Sequence, residues 1–272
     1  MPELPEIETL KRALLPLVKN KTLIDSRFFR EDIRFPIPCR ILKRELTRKK
    51  ITGVTRKGKY LLLHSHNGAM IWHLGMSGRI IQYGSMDPVE KHTHAVFHFE
   101  GDTFLHFIDP RRFGCILWAP KDEGHPLLNH LGPDPLEAAA TAKVLKTRAR
   151  NCKAPIKSFL MDARRLAGIG NIYACESLFA APIHPRRPAG KLTLADWERL
   201  ISALRRTLNN SIASGGTTLR DFFNTDQSPG YYALQLSVYG RENQPCPQCG
   251  AAIVRVTHSG RSTFFCKVCQ KK

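Results

Sequence analysis

The chain has 272 residues, 42% of them hydrophobic, and carries 42 Lys and Arg against 23 Asp and Glu, a formal net charge of +19. That apolar content excludes a disordered chain, and the absence of any uninterrupted apolar run near ~20 residues excludes a membrane-spanning helix. The cations are spread along the whole sequence rather than gathered beside an apolar anchor. A polyanion such as nucleic acid is therefore favoured over a lipid surface, because each neutralised phosphate releases a condensed counterion.

The first stretch, MPELPEIETL, puts glutamates where a secretory leader carries basic residues, and no apolar core or small-residue cleavage site follows. A cytoplasmic protein with no leader is expected. Residues 3–19 read as an amphipathic helix. Ile7, Leu10, Leu14 and Val18 recur at helical spacing, Pro5 suits the first turn, and Glu6 and Glu8 suit its positive end. From about 22 to 119 the pattern changes. ITGVTRKGKYLLLHS, GAMIWHLGMSGRIIQYG, THAVFHFEG and TFLHFIDPRRFGCILWA are short apolar or alternating runs split by Gly, Asp and Asn. They predict antiparallel strands in a β-sandwich, with the first helix packed on it.

HLGPDPL, at 130–136, marks a boundary. Helices are expected beyond it at roughly 137–147, 153–163, 171–180, 193–213 and 217–223. TDQSPGYYALQ, at 225–235, reads as an exposed loop. The overall expectation is an α+β chain of three parts, 1–131, 132–238 and 239–272.

The last part contains Cys246, Cys249, Cys266 and Cys269, spaced C-x2-C-x16-C-x2-C. Four thiolates in two turns can close a tetrahedral zinc shell, and with every position filled by protein the ion would be structural. The intervening AIVRVTHSGRSTFF reads as a β-hairpin turning at Ser259-Gly260. So short a segment has little core of its own, and metal binding would supply folding free energy. Cys39, Cys115, Cys152 and Cys175 have no motif spacing and are expected as reduced thiols. His92, His94 and His98 alternate with apolar residues and read as a solvated strand face rather than a metal site.

PELPEIE, GKYLLL, HLGMSG, DPRRFG, GIGNIYACESLF, GGTTLRDF and the cysteine module follow one another in this order from end to end. Together they resemble the bacterial formamidopyrimidine-DNA glycosylases, base-excision enzymes for 8-oxoguanine and ring-opened purines. Leu4 and HLGMSG tilt the resemblance toward this branch and away from the related endonuclease VIII enzymes. It implies an N-terminal β-sandwich with its helix, a helical domain with a helix–two-turn–helix motif, and a zinc-finger hairpin, with DNA in the cleft between the two domains. It also implies damaged double-stranded DNA as partner, one structural Zn2+, no small-molecule cofactor, no membrane, and a monomer.

The resemblance makes Pro2, freed by loss of Met1, the nucleophile, and Glu3 the proton donor, with Glu6 in support. On residue type alone both glutamates are ordinary helix-start acids. Lys59 and Arg261 are counted with the catalytic group as phosphate grips, joined by His73, His92, Asn171 and Tyr239. Lys59 is unexpected on an apolar strand, and Arg261 alone reads equally well as a solvated turn residue. Met76, Arg111 and Phe113 are assigned to filling the hole left by an extruded nucleotide. Their glycine-flanked turns favour exposure over core packing. Lys157 matches a lysine near the lesion pocket. Arg220 stands where relatives carry lysine, beside a lesion-capping loop at about 217–235. Two rival readings remain open: a glycosylase for oxidised pyrimidines, and a zinc-bearing protein that binds damage without cutting.

Overall fold

The computed structural model describes residues 2–87, 89–217 and 232–271. Arg220 and all of the expected helix 217–223 except Thr217 lie outside these residues, and of the expected loop 225–235 only 232–235 are described, as a short 3-10 turn. Two compact units are formed, Met1–Asn129 with Ser214–Ala233, and His130–Ala213 with Leu234–Lys272.

The first unit opens with α1 (Leu4–Val18), whose buried Ile7, Leu10, Leu14 and Val18 form the predicted apolar stripe. The strands follow as β1 (Thr22–Phe28), β2 (Lys49–Lys50), β3 (Gly53–Lys57), β4 (Tyr60–Ser65), β5 (Gly68–His73), β6 (Arg79–Tyr83), β7 (Thr93–Phe99), β8 (Thr103–Ile108) and β9 (Cys115–Pro120). They pair as two antiparallel sheets, β2-β1-β7-β8-β6 and β3-β4-β5-β9. Both sheets and α1 feed one core, in which the rings of Trp72 and Phe97 lie 5.3 Å apart. The helix α2 (Cys39–Leu46) was not expected from sequence. It is strongly amphipathic but only eight residues long, and it buries just Leu42 and Leu46, one turn apart, so its stripe is too short to stand out beside the strands around it.

The first unit's N-terminal segment ends on α3 (Pro126–Asn129), and the second unit holds α4 (Ala142–Arg148), α5 (Ile156–Met161), α6 (Asn171–Ala180) and α7 (Leu194–Ala213). The Thr141 hydroxyl accepts the Val144 N–H, and this cap starts α4 later than the sequence pattern suggests. The hairpin of β10 (Val254–His258) and β11 (Arg261–Phe265) turns at Ser259 and Gly260, both at positive φ. Its Ile253, Phe264 and Cys266 pack with Cys175 and Phe179 of α6, so the hairpin shares a core with the helix.

One buried ion pair ties α1 to the sandwich. Glu8 lies 3.0 Å from Arg56 of β3, both nearly excluded from solvent, and Lys11 reaches the other oxygen at 2.7 Å. Burial alone would raise the Glu8 pKa, but the hydrogen bonds and charges of Lys11 and Arg56 outweigh it and hold the carboxyl below its ordinary value. A depressed carboxyl contributes stability above its unfolded pKa and loses it as the pH falls through the folded one. Arg56→Ala should therefore cost about 3 kcal/mol at neutral pH, by urea denaturation, and flatten the decline in stability below about pH 4.5. A loss well under 1 kcal/mol would show the pair to be idle.

Candidate active site and nucleic-acid interface

Glu3 is the N-cap of α1, in extended conformation, and forms a reciprocal capping box with Glu6. The Glu3 carboxylate accepts the Glu6 N–H, and Glu6 Oε2 accepts the Glu3 N–H at 2.8 Å. The second Glu6 oxygen accepts the N–H of Thr217 at 2.8 Å. Glu3 and Glu6 are only 3% and 2% exposed. Glu6 therefore joins the start of α1 to the chain after α7, where Gly216 N-terminal to Thr217 adopts φ +87° against the Glu6 side chain. Pro2 is buried just before this cap, at the positive end of the helix.

Lys59 lies in the two-residue turn between β3 and β4 rather than inside a strand, which removes the oddity of a lysine in KYLLL. Arg56 donates to the Gly58 carbonyl at 3.1 Å as well as to Glu8, so the turn that carries Lys59 is fastened to α1. At the end of β5, His73 Nδ1 accepts the Gly75 N–H at 3.0 Å. Burial, with the Arg34 and Lys59 charges, lowers the His73 pKa to about 4. The imidazole is thus neutral at physiological pH, and its proton sits on Nε2, where it can be donated to an anion. Arg34, which the sequence did not single out, belongs to this electropositive group.

The residues assigned to hole filling sit on two connections held by one carboxylate. Asp109, fully buried, accepts the Ser77 hydroxyl at 2.8 Å and the Gly114 N–H at 2.7 Å. Ser77 Oγ in turn accepts the Arg111 N–H at 3.2 Å. The connections 74–78 and 109–114 meet backbone to backbone: a Cβ on Gly75 would lie 2.3 Å from the Phe113 carbonyl carbon. Phe113 is 44% exposed and the Arg111 guanidinium lies 4.9 Å from its ring centroid, which agrees with exposure over core packing. Met76 is half-buried between Gly75 and Ser77. His92 is exposed at φ +70°, and its carbonyl accepts the Asp109 N–H.

In the second unit, Asn171 opens α6 and donates through Nδ2 to the Ser262 carbonyl at 2.9 Å. Lys157 differs from the expectation of a DNA contact. It is 2% exposed, and Nζ donates to the Ser262 carbonyl at 3.0 Å and to Thr263 Oγ1 at 2.7 Å. Its ammonium holds β11 in place, while Arg261, the first residue of that strand, stays exposed. Glu176 accepts three successive backbone N–H groups, from Ser237, Val238 and Tyr239, at 2.8–2.9 Å. This fixes Tyr239, whose ring packs edge-on against Phe264.

The four cysteine sulfurs lie within 4.8 Å of one another. Cys246 and Cys269 are 3.9 Å apart, and Cys249 and Cys266 are 3.5 Å apart. Sulfurs bound to one tetrahedral zinc stand about 3.8 Å apart, whereas a disulfide requires about 2 Å. The donors fit a closed, structural zinc site.

The helix-led sandwich, the helical unit and the closed four-thiolate hairpin define a zinc-bearing DNA glycosylase architecture. Family models match along the chain: the formamidopyrimidine-DNA glycosylase N-terminal domain over residues 1–116, its H2TH domain over 131–223, and the zinc finger found in FPG and IleRS over 243–272. The chain is 45% identical over 271 residues to formamidopyrimidine-DNA glycosylase of Acidithiobacillus ferrooxidans, and 47% identical over 274 residues to that of Methylococcus capsulatus, with all of each chain covered. MutM (FPG) from Thermus thermophilus superposes with a TM-score of 0.87 at 38% identity, covering 99% of this chain and 98% of that one. A Lactococcus lactis FPG mutant in complex with a Fapy-dG containing DNA gives 0.91 at 33% identity, with both chains fully covered. The chain belongs to the formamidopyrimidine-DNA glycosylase family.

One zinc per chain is expected by metal analysis of the purified protein. A strong chelator should release it, and with it the ordered hairpin, followed as loss of protease protection around 254–265. A metal-free protein with an equally protected hairpin would contradict the structural role.

Proposed function

We propose that this protein excises oxidised purines, 8-oxoguanine and formamidopyrimidines, from duplex DNA and then cleaves the strand at the emptied sugar. The observation that carries the reading is the capped start of α1, where Pro2 and Glu3 adjoin the positive end of a helix. It is supported by relatives whose structures hold a Fapy-dG containing DNA and an abasic site containing DNA.

With Met1 removed, Pro2 presents a secondary amine. An ordinary α-amine has a pKa of about 8, and the positive end of α1 favours its neutral, nucleophilic form. The nitrogen lone pair forms a bond to C1′ as the bond from C1′ to the base breaks and its electron pair leaves with the base. Glu3 takes the proton from the Pro2 nitrogen and delivers it to the ring oxygen, the C1′–oxygen bond breaks so that the sugar opens, and the freed nitrogen lone pair closes the iminium. That cation draws electrons from the neighbouring carbon. Loss of a C2′ proton expels the 3′ phosphate, and a second elimination expels the 5′ phosphate. A carboxylate offers several lone-pair positions, so capping the helix leaves Glu3 able to take and return a proton.

The remaining residues bind and extrude. Lys59, neutral His73, His92, Asn171, Tyr239 and Arg261 grip phosphates, which position the duplex without reading it. Met76, Phe113 and Arg111 fill the hole, and Arg111 offers its donors to the orphaned base. Lys157 serves this interface from below, by holding the strand that carries Arg261. The chemistry needs no small-molecule cofactor, and the protein acts as a monomer in the bacterial cytoplasm.

Borohydride trapping tests the reading. A duplex with 8-oxoguanine opposite cytosine should give a covalent protein–DNA adduct, formed faster than with thymine glycol. Preference for thymine glycol would move the protein to the pyrimidine branch. Absence of any adduct would leave a protein that binds damage without cutting.

A further inference from the structure

We propose that Asp109 and Ser77 are positioning residues for the choice of base opposite the lesion, acting through the backbone of Arg111. This rests on the reading of Arg111 given above and deepens it.

A carboxylate with no solvent must take hydrogen bonds from the protein on both oxygens. Asp109 finds its two donors on different connections: Ser77 between β5 and β6, and Gly114 between β8 and β9. If either connection slides, a buried charge loses a donor. Ser77 then passes this constraint on, because the oxygen whose proton goes to Asp109 accepts the Arg111 N–H. The main chain of Asp109 is held as well: its N–H reaches the His92 carbonyl at 3.1 Å, and His94 Nε2 donates to its carbonyl at 2.8 Å. Past this anchor the chain turns at Arg112, φ +57°, and sends Arg111 and Phe113 outward. The glycines leave no slack, since a Cβ on Gly114 would fall 2.6 Å from the His73 carbonyl oxygen. Arg111 is thus fixed at its backbone by Ser77 and at its guanidinium by the Phe113 ring, and its approach to a facing base is set before DNA arrives.

Removing Ser77 Oγ cuts the link to Arg111 while leaving the bond from Gly114 to Asp109. The test is the ratio of single-turnover excision rates for 8-oxoguanine opposite cytosine and opposite adenine. It is measured in the wild type, Ser77→Ala, Arg111→Ala and the double variant. Loss of one positioning hydrogen bond should lower the ratio roughly 3- to 10-fold in Ser77→Ala. Affinity for undamaged duplex should stay as in the wild type, and Ser77→Thr should restore most of the ratio. In the Arg111→Ala background Ser77→Ala should change it less than about 2-fold, because residues acting through one another are not additive. Ser77→Cys, close in size with a weaker donor, gives the same reading if Ser77→Ala does not fold. An unchanged ratio in both Ser77 variants, or an equal drop in both backgrounds, overturns the proposal. An unchanged ratio in Arg111→Ala alone overturns instead the role given to Arg111.

Discussion

Two glutamates at the first turn of α1 answer each other's backbone N–H, and the placement of Pro2, the proposed nucleophile, depends on that exchange. Chain termini fray unless tied down. Here the tie is local at Glu3 and long-range at Glu6, whose second oxygen holds Thr217. The same helix then uses Glu8 to hold Arg56, and Arg56 holds the turn that carries Lys59. One helix thus holds Pro2, Glu3 and the turn that carries Lys59, the proposed nucleophile, acid and phosphate grip.

The pattern recurs. In a chain with 23 acids against 42 cations, several of the few carboxylates are spent inside. Glu6, Asp109 and Glu176 are all buried, and each accepts backbone N–H groups from a segment that carries or adjoins a functional residue: Thr217, Gly114, and Ser237 to Tyr239. Burial pushes the Glu176 carboxyl above its ordinary value, against three N–H donors that pull it down. Lys157 does the converse, a buried cation on a carbonyl and a hydroxyl of β11. Each acid withdrawn into the interior enlarges the cationic excess of the surface, while the buried charges fix segments that carry some of those cations.

Much of this was legible in the sequence because it is local. The short apolar or alternating runs from about 22 to 119 read directly as strands, the stripe Ile7–Leu10–Leu14–Val18 as a helix face, and the cysteine spacing as a metal shell. The helix 171–180 has the predicted bounds because Gly170 and Pro182 delimit it. What was missed is non-local. Nothing near Asp109 in sequence tells that Ser77 will be its donor, and Lys157 lies 105 residues from the carbonyl it holds. A lysine in a short helix reads as a surface charge until the strand packed over it is known. Glu176 did leave a trace: it is the one acid in NIYACESLFA, a helix buried almost all round, and such an acid needs donors from elsewhere.

The account stands or falls on which atom carries the sugar. Tandem mass spectrometry of the reduced adduct, digested to peptides, would locate it. The sugar remnant is expected on the nitrogen of Pro2, in the peptide that also contains Glu3 and Glu6. A remnant on the side chain of Lys59 or of any other lysine, with the Pro2 nitrogen unmodified, would contradict the account.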